Sequence, residues 1–118
     1  MSDKAEQLRD RTKTFALRII RLFRSLPRSG EAQVIGKQLL RSGTSVGANY
    51  RAACRSRSRA EFVARLGIVV EEADETCYWL ELLIEAAIVK AEKLDDLLKE
   101  ARELTAIFTA STTTIRQK

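Results

Sequence analysis

From Leu8 onward, apolar side chains in this sequence return at alternating steps of three and four, and that rhythm leaves little besides helix. Leu8, Thr12, Phe15, Ile19, Leu22 and Leu26 follow steps of 4, 3, 4, 3 and 4, the spacing that aligns one face of an α-helix. The stripe predicts a first helix over Asp3 to Ser25, closed by Pro27 and Gly30. Breakers are scarce: there are one Pro and five Gly in 118 residues, against 45% hydrophobic and 31% charged side chains. So few turn-formers exclude an all-β fold, and so much apolar material excludes a disordered or collagen-like chain. The length suits one core, and residues 1–118 read as a single domain.

A second stripe, Ala32, Ile35, Leu39, Ser42, Val46, Asn49 and Ala53, runs through the unusual segment RSGTSVGANYR from Arg41 to Arg51. Here helix and loop compete, because each interior Gly costs a helix about 1 kcal/mol relative to Ala. Spacing decides the matter. Gly36, Gly43 and Gly47 are separated by seven and four residues, which puts them on one helical face, as the close approach of a neighbouring backbone requires. They are the predicted helix-contact residues of a second helix from about Glu31 to Cys54, with Ser42 to Thr44 the place where a kink would fall.

Ser58-Arg59-Ala60-Glu61 is a capping box, in which a Ser hydroxyl and a Glu carboxylate satisfy free amides at a helix start. Beyond it a third stripe runs through Phe62, Leu66, Val69, Ala73, Cys77 (or Thr76), Leu80, Ile84 and Ala87, and a fourth through Leu94, Leu97, Ala101, Leu104, Phe108, Ser111 and Ile115. No Gly or Pro separates them. A turn near Val89 to Glu92 leaves four helices of about 25 residues, each about 36 Å long, and places Asp95 and Asp96 in the first turn of the fourth, where carboxylates suit the helix dipole. The three threonines Thr112 to Thr114 read as a fraying end. The predicted fold is an all-α, antiparallel up-down-up-down four-helix bundle.

Chemistry is narrowed by an absence, since the sequence has no His. His-dependent triads, zincin motifs and Glu-x-x-His di-iron sites cannot be assembled from this chain. No catalytic residue, metal site or cofactor is expected. The acids Glu71, Glu72, Asp74, Glu75, Glu81 and Glu85 fall off the inward stripe, which argues against a carboxylate metal centre. Gly43 to Gly47 lacks the GK[ST] ending and preceding strand of a phosphate-binding loop. Cys54 and Cys77 are 23 positions apart and read as small, reduced core residues. A polar start from Met1 to Asp10 and short apolar runs predict a cytoplasmic protein with no membrane span.

Charge is divided unevenly. Residues 1–60 carry 14 basic and 4 acidic side chains, whereas residues 61–118 carry 7 basic and 12 acidic ones, for a total of +5. No acid occurs from Ala32 to Ala60, a stretch holding Lys37, Arg41, Arg51, Arg55, Arg57 and Arg59. Such a patch suits a polyanion, and these six are the candidate nucleic-acid-binding residues. With equal weight, the arginines pair with Glu71, Glu72, Asp74 and Glu75 of a neighbouring helix or subunit.

The third helix carries a second, mixed face of Glu61, Arg65, Ile68, Glu72, Glu75 and Trp79, again at steps of 4, 3, 4, 3 and 4. Regular polar and aromatic positions beside a core stripe mark a subunit contact, with Trp79 as an outward anchor; the plainer reading has Trp79 lying flat on the bundle. Val63, Ile68, Val70, Trp79, Leu82 and Ile88 exceed what one core can take, which also favours an oligomer.

The stretch RSGTSVGANYRAACRSRSRAEFVARLGIVVEEADETCYWLELL, from Arg41 to Leu83, resembles the signature of the bacterial four-helix bundle family known as ribosomal RNA intervening-sequence proteins, after members encoded within insertions in large-subunit ribosomal RNA genes. The matching positions are Ser45, Val46 and Asn49, then Ser58, Glu61 and Phe62, then Glu72, Glu75, Trp79 and Leu80. Many members have Pro where this chain has Gly47 or a neighbour. The resemblance implies a homopentameric barrel of bundles with no known catalysis. A related group of accessory proteins in diversity-generating retroelements uses the fold to bind a reverse transcriptase and nucleic acid. The expectation is therefore a non-enzymatic homo-oligomer whose basic half binds RNA or DNA beside a nucleic-acid-processing protein; the alternative is a protein-binding scaffold with no nucleic-acid role.

Overall fold

The computed structural model describes residues 3–117 of the chain, so Met1, Ser2 and Lys118 of the single domain read from the sequence lie outside the described residues. It contains α1 (Asp3–Ser25), α2 (Gly30–Cys54), α3 (Arg59–Glu85) and α4 (Ala91–Gln117), and no strand among the described residues. The helices form an antiparallel up-down-up-down four-helix bundle, a rod of 46 × 22 × 21 Å. Extensive contacts join α1 to α2, α2 to α3 and α3 to α4, while the α1–α4 seam is thin. Arg11 closes that seam with a two-pronged bond to Glu100 (2.7 and 2.6 Å) and a third contact to Glu103 (2.8 Å).

The predicted stripes supply most of the core, except that Ala87 of the third lies exposed in the turn after α3. Leu8, Thr12, Phe15, Ile19 and Leu26 are buried, as are Leu94, Leu97, Ala101, Leu104 and Phe108 of α4. In α3 both Thr76 and Cys77 are buried, and Leu83 takes the inward place expected of Ile84, which is half-buried. The Thr76 hydroxyl donates to the Glu72 carbonyl (2.7 Å) and lies 3.0 Å from Ser42 Oγ, tying α3 to α2 through a polar pair at the buried interface. Tyr50 and Phe108 rings meet across the bundle at 5.1 Å.

α2 runs through Ser42 to Gly47 without interruption, and α1 explains its glycines. A Cβ at Gly43 would lie 2.8 and 2.9 Å from the Cγ1 and Cγ2 of Ile19. At Gly47 it would meet the Thr12 hydroxyl and carbonyl oxygens at 3.2 and 3.3 Å, and at Gly36 the Leu26 Cδ1 at 2.6 Å. All three predicted helix-contact glycines therefore face α1 or the turn that follows it. The helix propensity they give up allows closer approach of two backbones.

The helix ends depart from prediction in three places. α3 stops at Glu85, and the turn spans 86–90, slightly earlier than the expected Val89 to Glu92. The signal there is hidden because Ala87 adopts φ 58°, a left-handed conformation that usually calls for Gly. Its amide donates to the Ile84 carbonyl (3.0 Å) and the Ile88 amide to the Leu83 carbonyl (3.0 Å), a Schellman pair. Because α4 consequently starts at Ala91, Glu92 occupies its first turn and Asp95 and Asp96 fall in the second. At the other end, Thr112 to Thr114 do not fray but continue α4, with their hydroxyls donating to the carbonyls of Phe108, Thr109 and Ala110.

The capping box forms with a shift. Ser58 Oγ accepts from the Glu61 amide at 3.1 Å, but the Glu61 carboxylate accepts from the Arg57 amide (3.2 Å), one residue before the cap. That bond, aided by Arg65, holds the Glu61 carboxyl below its usual range.

Three stability measurements check this account. Gly43→Ala should cost about 1–3 kcal/mol in urea unfolding, because the β-branched Ile19 is fully buried and has nowhere to move. Gly36→Ala should cost less, since the far end of Leu26 can rotate away and Ala returns about 1 kcal/mol of propensity. Ala87→Gly should raise stability by up to about 1 kcal/mol by relieving the left-handed alanine.

Candidate nucleic-acid interface

The six basic residues singled out in the sequence do not form one patch. Arg41 reaches from α2 to α3, where its guanidinium meets Glu72 at 3.1 Å and also binds Glu75. The Trp79 indole N–H donates to the same Glu75 carboxylate at 3.0 Å. Pairing with the acidic third helix therefore holds for Arg41. Arg59 donates to the Ile115 carbonyl (2.5 Å) in the last turns of α4, where free carbonyls need donors. Lys37, Arg51, Arg55 and Arg57 are exposed and make no ion pair among the described residues. Lys37 stands apart, about 21 Å up α2 from Arg51 at 1.5 Å per residue.

Arg51 and Arg55 have neighbours that sequence reasoning missed. Antiparallel docking of α1 on α2, with Thr12 against Gly47, brings Arg9 and Lys13 to the same side of the bundle. The four cations line an open groove of about 750 Å³ between the two helices, with Asp10 the one acid on its wall. Ala16, Gly47 and Ala48 are its small residues, and Cys54 lines it as well. A signal for this was present. Arg9 and Lys13 each follow a stripe residue, Leu8 and Thr12, so they had to flank whichever helix packed on that stripe. The partner helix, and hence the facing arginines, came only with the fold.

Tyr50, between Gly47 and Cys54 on α2, is only 5% exposed and packs on Phe108. Burial, with a contribution from Cys54, pushes its phenol up to about 12, so it remains neutral. Cys54 is half-buried and Cys77 buried, and both are free thiols. Burial likewise pushes the Cys77 thiol up. Among the described residues no group of three or more Cys, Asp or Glu is placed to hold a metal ion, and no helix is long and apolar enough to cross a membrane.

Both the bundle and its sequence match known proteins. The family model for the 23S rRNA-intervening sequence protein covers residues 5–110. The chain belongs to this family. It is also similar to a crystal structure of a protein of unknown function from the S23 ribosomal protein family of Bacteroides thetaiotaomicron VPI-5482. That similarity has a TM-score of 0.86 and 37% identity, over 93% of this chain and 98% of that one. No curated protein matches the chain.

In this member of the intervening-sequence family the mixed face of α3 is divided in its use. Glu72, Glu75 and Trp79 are drawn into the Arg41 cluster, with Trp79 half-buried against the core. Glu61 and Arg65 pair with each other along the helix at 3.1 Å. Val70 and Ile88, counted with Trp79 among the surplus apolar residues, also pack against the core, whereas Ile68 remains 43% exposed. The more exposed aromatic is Tyr78, at 53%. The outward sector of α3 thus centres on Ala64, Ile68, Glu71 and Tyr78, rotated from the expected face.

The Trp79 hydrogen bond, and then Arg41, holds the Glu75 carboxyl below its ordinary range. A depressed carboxyl stabilises the fold above its unfolded pKa and loses that contribution as pH falls through the folded value. In Trp79→Phe the ring stays but the indole donor goes. The Glu75 midpoint, followed by carboxyl carbon NMR, should move up toward the ordinary range.

Proposed function

We propose that this protein is a non-enzymatic, oligomeric helical bundle that binds RNA or DNA through its basic face, working in the cytoplasm as an accessory to a ribonucleoprotein or reverse transcriptase. One observation carries the reading: Arg11, Arg41 and Arg65 are paired with carboxylates, yet Arg51, Arg55 and Arg57 remain exposed at one end and make no ion pair among the described residues. Exposed cations grouped at one end repel one another and favour a polyanion. Membership in a family named for 23S rRNA-intervening sequences is in keeping with an RNA-related role.

A filter-binding salt titration tests this. Binding should weaken linearly in log salt, with a slope near −0.7 for each phosphate neutralised on a single strand and about −0.9 on duplex DNA. The triple variant Arg51→Glu, Arg55→Glu, Arg57→Glu should lose binding while keeping its helical circular dichroism. Absence of saturable binding by the wild type near physiological salt would favour the scaffold reading.

Self-association is part of the same reading, with the outward sector of α3 as the contact and a pentamer as the state that the family resemblance implies. Exposed Ile68 and Tyr78 support it. Light scattering should give a mass several times the 13.3 kDa of one chain, and Ile68→Glu should shift it toward the monomer. A wild-type monomer at micromolar concentration would overturn the assembly.

A further inference from the structure

We infer that the groove between α1 and α2 is where the nucleic acid sits, and that it holds a single strand by its phosphates without reading its bases. This rests on the nucleic-acid reading above and adds to it a place, a ligand class and a second helix.

Cations line both walls. Arg9 and Lys13 are one turn apart on α1, and Arg51 and Arg55 are one turn apart on α2, so successive charges on each wall are separated by about 6 Å along the axis. Because Thr12 lies against Gly47 and the helices are antiparallel, Arg9 stands level with Arg51, Lys13 one turn to one side and Arg55 one turn to the other. A strand laid along the seam meets a positive side chain at each of three levels. Against four cations, Asp10 is the one acid.

The size and lining of the groove choose among nucleic acids. Its volume of about 750 Å³ is that of a small-ligand site. It admits the sugar-phosphate chain of a strand, while a double helix would touch only its rims. Ala16, Gly47 and Ala48 keep it open. Apart from the cations, which engage the phosphates, and Asp10, nothing in it is equipped to read bases. The Tyr50 ring is buried against Phe108, so there is no stacking platform. The Thr44 hydroxyl donates to the Leu40 carbonyl, and the Asn49 amide nearby to the Ser45 carbonyl. Recognition is left to charge and shape, which fix a backbone and carry no sequence information.

The experiment measures fluorescence anisotropy of labelled twelve-nucleotide oligouridine, oligoadenylate and a duplex of equal length against the full chain. Four proteins are compared: wild type, Ala48→Leu, Lys13→Gln and Asp10→Asn. All three substituted positions are exposed, and thermal melts by circular dichroism verify that each variant is folded. Both single strands should bind wild type within a few-fold of each other and more tightly than the duplex. Ala48→Leu, which fills the groove without changing charge, should weaken binding by about tenfold or more. Lys13→Gln should weaken it several-fold and reduce the salt slope by about 0.7, and Asp10→Asn should tighten it several-fold. If folded Ala48→Leu binds like wild type, the groove is not the seat, although the basic-face reading survives through Arg51, Arg55 and Arg57. Tighter binding of the duplex would overturn the choice of a single strand. If wild type binds no oligonucleotide, the underlying nucleic-acid reading fails and the groove falls with it.

Discussion

The approach of α1 to α2 across Gly36, Gly43 and Gly47 is the contact on which the rest of the bundle depends. Where Ile19 fills the space that a Cβ at Gly43 would take, the two backbones come closer than ordinary side chains permit. That closeness fixes register, since sliding one helix by a turn would set Ile19 against Leu39 in one direction, and in the other would move Thr12 from Gly47 onto Tyr50 or Arg51. Register in turn decides which flanking groups meet: with Thr12 held at Gly47, Arg9 and Lys13 arrive beside Arg51 and Arg55. A charged groove is thus a by-product of an apolar contact, and three residues with no functional group set the geometry of those with one.

The distribution of charge has two different outcomes in one fold. Arg11, Arg41 and Arg65 are held by carboxylates within reach of their own helix or a neighbour. Such half-exposed pairs add little stability singly, but Arg41 joins two acids and a tryptophan across the α2–α3 contact and so restrains how those helices rotate. Basic residues near the α2–α3 turn have no such company. The net basicity of the chain is therefore concentrated by the fold, more sharply than the division into a basic and an acidic half implies.

Much of this architecture was legible in the sequence because apolar periodicity reports burial directly. The first helix was readable to its C-terminal end since Pro27 and Gly30 punctuate it, and the glycines of α2 announced a close contact by lying on one face. The α3–α4 turn was misplaced by a few residues because Ala87 does a job that Gly ordinarily does, leaving no compositional trace. Threonines at the end of α4 were misread because their hydroxyls satisfy themselves on carbonyls one turn back, which is compatible with helix. The site was less legible than the fold. Periodicity says that a residue faces outward, but the partner it faces depends on which helices are neighbours and in what register. Hence Arg41 could not be separated from Arg51 by sequence, and nothing in the sequence alone joins Lys13 to either.

The thin α1–α4 seam has a kinetic meaning. Every extensive contact in the bundle joins helices consecutive in the chain, so most of the structure can assemble through short loops, a topology associated with rapid folding. Arg11 and Glu100 are 89 residues apart, so closing that contact carries the largest loop-closure cost and is expected late in folding. Interactions absent from the transition state govern how fast a protein comes apart and leave its folding rate nearly untouched. Within its small energy, the Arg11 clamp therefore acts on lifetime: it slows the opening of a closed bundle, while the glycine contact sets which bundle is formed.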